Sequence, residues 1–89
     1  MTDQAEVSLT GVVEFICNEL NNILPEPATA PLTAETDMTE DINVDSLGVM
    51  NLVFALEEKY DIAIPLNALS DIRKINELAE LILKVHSER

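Results

Sequence analysis

The residues Asp45-Ser46-Leu47 place a hydroxyl group at the start of a predicted helix. Asp45 suits the N-cap position because a carboxylate there accepts a hydrogen bond from an unpaired backbone N–H of the first turn. Ser46 then lies where such N–H groups and the helix dipole favour an anion, so a phosphodiester on its hydroxyl would be well placed. An Asp-Ser pair at a helix start is also common as a simple cap. The three residues alone leave both interpretations open.

The segment from Asp41 to Asp45 offers a competing chemistry, because oxygen-bearing side chains at alternate positions resemble the start of an EF-hand calcium loop. With Asp41 as the first loop position, the sixth is Ser46 instead of glycine and the twelfth is Leu52 instead of a bidentate glutamate. The loss of both the turn residue and the closing ligand argues against calcium. We expect no metal site.

Ser46 has no neighbouring base in the sequence that could activate its hydroxyl for catalysis. The chain contains one cysteine, Cys17, and one histidine, His86, which excludes an intramolecular disulfide and a zinc cluster. We expect Cys17 to be a small buried side chain and His86 to lie at a solvated helix end. Ser46 is therefore predicted to be an acceptor that another protein modifies, and the chain is predicted not to be an enzyme.

Apolar residues recur at spacings of three and four along most of the chain, which predicts an all-α fold with three main helices and one short helix. Pro25 ends the first helix, and Pro65 forces the residue before it out of helical geometry. The stretch between the first two helices contains three prolines and few apolar residues, so we expect a long loop there. The predicted single domain, residues 1–89, comprises helix 1 at about 9–24, the loop at 25–45, helix 2 at about 46–60, a short helix at about 66–70 and a last helix at about 75–86.

Helix 2 has apolar side chains on two faces. At about 100° per residue, a second apolar line lies about 140° away from the face that meets the predicted core. The core face consists of Val49, Leu52, Val53, Leu56 and Tyr60, and the second line, here termed the outer stripe, consists of Leu47, Met50 and Phe54. Glu57, Glu58 and Asn51 flank the outer stripe. Either the outer stripe is exposed for contact with a partner, or the loop at 25–45 folds over it.

The charge of the chain is strongly negative and unevenly distributed. The formal net charge is −12, with twelve acidic and no basic residues in positions 1–58 and five of each sign in positions 59–89. Such a surface repels nucleic acid and anionic lipid and attracts proteins with basic patches, although solubility alone would also explain it. The first ten residues show neither a signal peptide nor a membrane span. We expect a cytoplasmic monomer that binds no nucleic acid and does not insert into membranes.

From Asp37 to Ile82 the sequence resembles the acyl carrier protein family. The resemblance is carried, in order, by Asp41-Ile42-Asn43-Val44, by Asp45-Ser46-Leu47, by Leu52-Val53-Phe54-Ala55-Leu56-Glu57-Glu58, and by the segment from Asp61 to Ile64-Pro65 with the apolar helix after it. It implies a small four-helix bundle in which a phosphopantetheinyl transferase moves a 4'-phosphopantetheine arm from coenzyme A onto Ser46. It also implies that Asp45, the outer stripe, Glu57 and Glu58 form the docking surface for basic patches on partner enzymes.

The function implied by the resemblance is to carry acyl intermediates as thioesters on this arm to enzymes of fatty acid, lipid or polyketide-type biosynthesis. These partners include an acyl-loading ligase or synthase and acyltransferases. A carrier of aminoacyl or peptidyl groups is one alternative, and an unmodified acidic interaction module is another. Gly48, Asn51 and Lys59 stand where housekeeping fatty-acid carriers usually have acidic residues, which favours a specialised carrier. Lys74 replaces the threonine that usually caps the last helix, so the sequence does not fix the residue at which that helix starts.

If the cargo folds back into the bundle, the resemblance implies that it lies among apolar residues of helix 2 and of the segment that follows. These residues are Leu56, Ile64, Leu69 and Ile72. The alternative is that all four are ordinary members of the core.

Overall fold

Apolar spacings of three and four produce four helices in the computed structural model, which describes residues 8–24, 31–42, 44 and 46–88. The helices are α1 (Leu9–Ile23), α2 (Ser46–Tyr60), α3 (Leu66–Leu69) and α4 (Ile75–Glu88). No named β-strand occurs in these ranges, and the predicted all-α fold with one short helix is confirmed. α4 continues to Glu88, beyond the end at about residue 86 that the apolar pattern predicted.

The core is built from aliphatic side chains on three of the helices. α1 packs against both α2 and α4. Ser8 caps α1, because its Oγ accepts a hydrogen bond from the Gly11 N–H at 3.1 Å. The buried hydrophobic side chains of the helices are Val12, Ile16 and Leu20 on α1, Leu52, Val53 and Leu56 on α2, and Ile75, Leu78, Ala79 and Ile82 on α4. Removal of this apolar surface from water is the main force that holds the helices together.

Some side chains on the core side of the helices and at the chain's last helix differ in burial from the prediction. Val49 and Tyr60, predicted on the core face of α2, are half-buried at the edge of the core. Cys17 is half-buried instead of buried, because it lies beside the buried stripe of α1 and not within it. Burial, together with the negative charge of Glu14, raises the pKa of the Cys17 thiol. His86 lies in the last turn of α4 and is half-buried instead of fully solvated.

The loop before α2 is held by backbone hydrogen bonds and not by side chains alone. Asp37 lies opposite Lys74 in an isolated antiparallel bridge. Three backbone hydrogen bonds join the two segments: Met38 N to Arg73 O at 2.7 Å, Ile75 N to Thr36 O at 3.0 Å, and Asn76 N to Ala34 O at 2.9 Å. Met38 and Ile42 are buried in the core. This pairing of residues 34–40 with residues 73–77, here termed the clamp, fixes the described part of the loop against the start of α4.

Ion pairs join the two segments of the clamp at its surface. The Arg73 Nη2 atom lies 2.6 Å from Glu40 Oε2, and its Nε atom lies 3.5 Å from Asp37 Oδ2. The Lys74 Nζ atom lies 3.6 Å from Glu35 Oε1. Solvent-exposed pairs of this kind contribute about 0–1 kcal/mol each. The clamp therefore depends more on its backbone hydrogen bonds and buried apolar side chains than on these charges.

Glu77 supplies the cap that the sequence left open at the start of α4. Its Oε1 atom accepts hydrogen bonds from the backbone N–H groups of Arg73, at 2.9 Å, and of Lys74, at 3.1 Å. These two donors hold the pKa of the Glu77 carboxyl below its ordinary value. A glutamate in the first turn that reaches back to the helix start is half of a capping box. The glutamate half of the box is thus present at the start of α4, although position 74 carries lysine instead of threonine.

The Asp37→Asn variant is expected to lose a pH-dependent part of the stability. Hydrogen bonds from the hydroxyl and backbone N–H of Thr39 and from the Glu40 N–H, with the charge of Arg73, hold the pKa of Asp37 below its ordinary value. A carboxylate whose folded pKa is lowered stabilises the protein above its unfolded pKa of about 3.9, and this stabilisation is lost as pH falls through the folded pKa. The wild type should therefore be more stable than the variant at neutral pH. The difference in unfolding free energy between the two proteins should become smaller toward about pH 3.

Urea unfolding of both proteins across this pH range measures the gap. Acidification also relieves the repulsion among the many acidic residues, but it does so in both proteins, so the difference between them isolates Asp37. A gap that stays constant as pH falls would show that the ionisation of Asp37 is not linked to folding.

Candidate functional site

Ser46 is the first residue of α2, at the helix end where backbone N–H groups have no partner within the helix. The first turn of α2 contains no acidic residue, so no carboxylate of that turn opposes an anion. Asp45 lies outside the described residues, and its roles as cap and docking residue stay predictions. The start of α2 is therefore a position at which a negatively charged group on residue 46 is electrostatically favoured.

The outer stripe of α2 lies largely on the surface. Leu47 is 70% exposed and Phe54 is 59% exposed, whereas Met50 is half-buried. On the other face, Leu52 is 1% exposed and Leu56 is fully buried. The two faces of α2 therefore differ as the periodicity predicted. The alternative in which the loop at 25–45 buries Phe54 is wrong.

The two acidic residues that flank the outer stripe differ in what they contact. Glu58 is exposed. Glu57 is half-buried, and its Oε2 atom accepts a hydrogen bond from the Ile64 N–H at 2.8 Å. Helical periodicity does not predict this contact, because Ile64 lies beyond the end of the helix. Glu57 thus has a structural role besides the docking role predicted for it.

α2 ends at Tyr60 and is followed by a residue in the left-handed region. Asp61 has a φ of 55°, a conformation that Asp tolerates better than most other residues with a side chain. The Ile62 N–H then donates to the backbone oxygen of Glu57 at 3.2 Å, which is the long hydrogen bond of a Schellman-type helix end. Both the backbone and the side chain of Glu57 therefore hold the connection between α2 and α3.

Lys59, one of the departures from the family pattern, contacts α1. Its Nζ atom lies 5.6 Å from the centre of the Phe15 ring. Phe15 in turn meets Tyr60 edge to face, with ring centres 5.9 Å apart. Cation–π and aromatic contacts of these kinds contribute about 0.5–1.5 kcal/mol each. Lys59 therefore helps to join α2 to α1 as well as making α2 less acidic.

The four residues named as a possible cargo environment all lie in or against the core. Leu56 is fully buried, and Ile64 is 5% exposed. Leu69 and Ile72 are half-buried and pack against the same cluster. Their burial agrees with ordinary core membership, and contact with a cargo stays a prediction.

Within the described ranges, no group of three or more His, Cys, Asp or Glu side chains is arranged to hold a metal ion. Asp41, the first residue of the calcium-like pattern, has a structural contact instead: its Oδ2 atom accepts a hydrogen bond from the Asp37 N–H at 2.8 Å. No helix of this part of the chain is both long and apolar enough to cross a membrane.

Comparison with known proteins identifies relatives over most of the chain. The family model described as phosphopantetheine attachment site matches residues 14–82. The chain is 41% identical over 49 residues to a probable acyl carrier protein of Caulobacter vibrioides. This match covers 55% of this chain and 57% of that protein. It is 31% identical over 77 residues to acyl carrier protein 1, chloroplastic, of Hordeum vulgare, covering 86% of this chain and 51% of that protein. It is 32% identical over 77 residues to an acyl carrier protein of Acidothermus cellulolyticus, covering 86% of each chain.

The chain thus spans 57% and 51% of the Caulobacter and Hordeum proteins, and 86% of the Acidothermus protein. The range matched by the family model includes all of α2 and most of α1 and α4. Proteins of this kind hold a covalently attached 4'-phosphopantetheine group and act as carriers, not as enzymes. On these matches and on its four-helix fold, the chain belongs to the acyl carrier protein family.

Proposed function

We propose that the 4'-phosphopantetheine arm of this chain is attached to Ser46 and carries acyl intermediates as thioesters. The observation that carries the proposal is the position of Ser46 as the first residue of α2, inside the range that the family model matches. The cargo is delivered to enzymes of fatty acid, lipid or polyketide-type biosynthesis. Gly48, Asn51 and Lys59 on α2 favour a specialised carrier with a dedicated set of partners.

The residues at the start of α2 fit an arm joined through a phosphodiester. The positive end of the helix dipole favours the phosphate, and none of the residues in the first turn of α2 is acidic. Leu47, which is 70% exposed, offers an apolar surface next to the attachment residue. When bound, the arm supplies a terminal thiol for the thioester, and the protein contributes placement and recognition.

Ser46 is an acceptor in this proposal and not a catalyst. Its hydroxyl oxygen forms a bond to the phosphorus that carries pantetheine, the bond from that phosphorus to the nucleotide part of coenzyme A breaks, and the nucleotide part leaves with the electron pair. We assign the base that takes the hydroxyl proton to the transferase. The only histidine, His86, lies in the last turn of α4, forty residues further along the chain.

We propose that partners dock on the outer stripe and its acidic border. The exposed apolar side chains of Leu47 and Phe54 suit the centre of an interface, and the exposed carboxylate of Glu58 suits its rim. The full proposed surface consists of Asp45, Leu47, Met50, Phe54, Glu57 and Glu58. The partners are a phosphopantetheinyl transferase, an acyl-loading ligase or synthase, and acyltransferases with basic patches. We further propose that residues 1–89 form a single carrier domain that acts as a cytoplasmic monomer.

Incubation of the full chain with coenzyme A and a phosphopantetheinyl transferase, followed by an intact-mass measurement, tests the carrier function. We expect the mass to increase by one phosphopantetheine group. A chain that stays unmodified yet binds a basic partner protein would instead be an acidic interaction module. Loading the modified chain with an acyl-activating or an aminoacyl-activating enzyme distinguishes the two carrier classes, because each cargo adds its own mass.

The Glu58→Gln variant is expected to slow association with the transferase by roughly two- to fivefold at low ionic strength, because it removes an exposed charge that attracts a basic patch. The effect should shrink as salt is added, since the screening length falls to about 8 Å at physiological ionic strength. Stopped-flow association rates measure both effects. Glu88→Gln is the matched control, because Glu88 is also exposed but lies at the end of α4. Equal slowing by both variants would indicate a response to net charge and no local docking role for Glu58.

A further inference from the structure

The carboxylate of Glu57 is a side-chain acceptor for the connection between α2 and α3. Its Oε2 atom accepts the Ile64 N–H at 2.8 Å in a half-buried setting. Ile64 is 5% exposed and belongs to the core cluster, so removal of the carboxylate would leave its backbone N–H without this acceptor in a largely buried setting. The hydrogen bond therefore fixes the position at which the chain turns back into the core after α2.

Few side chains are buried in the segment that follows α2, residues 61–72. α3 buries none of its four residues, and its N-cap residue Pro65 makes no side-chain capping hydrogen bond. Leu66 is 61% exposed, and Leu69 and Ile72 are only half-buried. The backbone hydrogen bonds given within the segment are short-range, from Ala68 N to Pro65 O and from Ile72 N to Leu69 O, both at 3.1 Å, and the Ser70 Oγ atom donates to Asn67 O at 3.0 Å. They hold the turns of the segment together but do not attach it to the bundle.

Both ends of the segment are fixed. At its start, Ile62 N is bonded to the backbone oxygen of Glu57, and Asp61 takes the left-handed conformation that turns the chain out of α2. At its end, the clamp holds Arg73 and Lys74 through the Met38 N to Arg73 O hydrogen bond and the ion pairs. Between these points, Ile64 is the single buried residue of the described segment.

We propose that Glu57 is a latch: its hydrogen bond to Ile64 keeps residues 61–72 closed against the core as one unit, and loss of this bond lets the unit open while α1, α2 and α4 stay folded. This proposal goes beyond the carrier function, because it concerns the unmodified chain and needs neither Ser46 nor its arm. It also separates Glu57 from Glu58, since only the first of these neighbouring carboxylates contacts the segment.

Hydrogen exchange of individual backbone amides in the full, unmodified chain tests the latch. In Glu57→Ala, the amides of Ile64, Ala68 and Ile72 should exchange faster by a common factor on the order of tenfold, a size typical of losing a hydrogen bond to a charged group. The amides of Val12 in α1 and Leu78 in α4, which donate to Ser8 O and Lys74 O, should not change. Glu57→Gln keeps an oxygen acceptor at this position and should speed exchange of the three segment amides less than Glu57→Ala does.

The matched control is Glu58→Ala, which removes the same charge from the adjacent residue and should leave all five amides unchanged. Faster exchange of Ile64 alone would reduce Glu57 to a local hydrogen bond and overturn the proposal. Equal acceleration of all five amides would show a general loss of stability and would also overturn it, as would unchanged exchange in Glu57→Ala. If the alanine variant does not fold, the same pattern in Glu57→Gln, smaller but confined to the three segment amides, decides the question.

Discussion

Ser46→Ala is expected to abolish the gain of a phosphopantetheine group completely, because the hydroxyl oxygen that accepts the phosphate is gone. The helix should persist, since alanine is the best helix former and Ser46 is the first residue of α2. Intact-mass measurement after incubation with coenzyme A and transferase gives the modification, and circular dichroism gives the helix content. We expect the modification to be lost completely and the helix content to stay the same.

Ser70→Ala is the control for this experiment. Ser70 is exposed and ends α3, and its Oγ donates a hydrogen bond to the Asn67 backbone oxygen at 3.0 Å. Its replacement removes a hydroxyl elsewhere on the surface and should leave the modification intact. Continued modification of Ser46→Ala, or loss of modification in Ser70→Ala alone, would assign the arm to another residue.

Leu56→Ala is expected to lower the stability of the protein, whereas Phe54→Ala is expected to weaken its reaction with the transferase. The two residues lie on the same helix, two positions apart. Leu56 is fully buried, and truncation of such a side chain costs about 2–5 kcal/mol, a large part of the roughly 5–15 kcal/mol that stabilises a typical domain. Phe54 is 59% exposed, so its truncation should change the unfolding free energy by no more than about 0.5 kcal/mol. It should instead lower the kcat/KM of the transferase by about tenfold, as loss of an aromatic interface contact does.

Urea unfolding and transferase kinetics on both variants measure these effects. Added salt should not rescue Phe54→Ala, because the lost contact is apolar, and this distinguishes it from the salt-dependent effect of Glu58→Gln. A loss of several kcal/mol in Phe54→Ala, with normal modification of the folded protein, would assign the outer stripe to the core. The acidic border would then be the remaining docking feature of α2.

Local periodicity was sufficient to predict the helices and the two faces of α2. The spacing of four between Val12, Ile16 and Leu20 repeats on one side of any α-helix, whatever the rest of the fold does. The same geometry separated the buried Leu56 from the exposed Phe54. Ser8 was recognisable as a cap because its type and position relative to the first apolar residue are sufficient for that role.

Contacts between residues distant in the sequence could not be predicted in this way. The clamp pairs Met38 with Arg73, and no periodic pattern relates these two positions. In the clamp, Arg73 and Lys74 form ion pairs with acidic residues of the loop, Glu40 and Glu35. Their positive charges therefore offset the charge of the loop and not that of the acidic border of α2. The hydrogen bond of Glu57 to Ile64 depends on where the chain goes after the helix ends, which the helix itself does not specify.

One signal that was present in the sequence was not used. Glu77 is the third residue of α4, the position from which a glutamate reaches back to the helix start in a capping box. Its presence was enough to predict a cap in spite of the lysine at position 74. Reading the residues on both sides of a helix start, and not the cap position alone, would have predicted the start of α4.

The most direct test of the proposed carrier function is fragmentation of the wild-type chain by tandem mass spectrometry after reaction with coenzyme A and transferase. We predict one phosphopantetheine group per chain, located on a fragment whose only possible acceptor is Ser46. Localisation of the group on another residue, or no modification under conditions that fully modify another acyl carrier protein, would contradict the proposal.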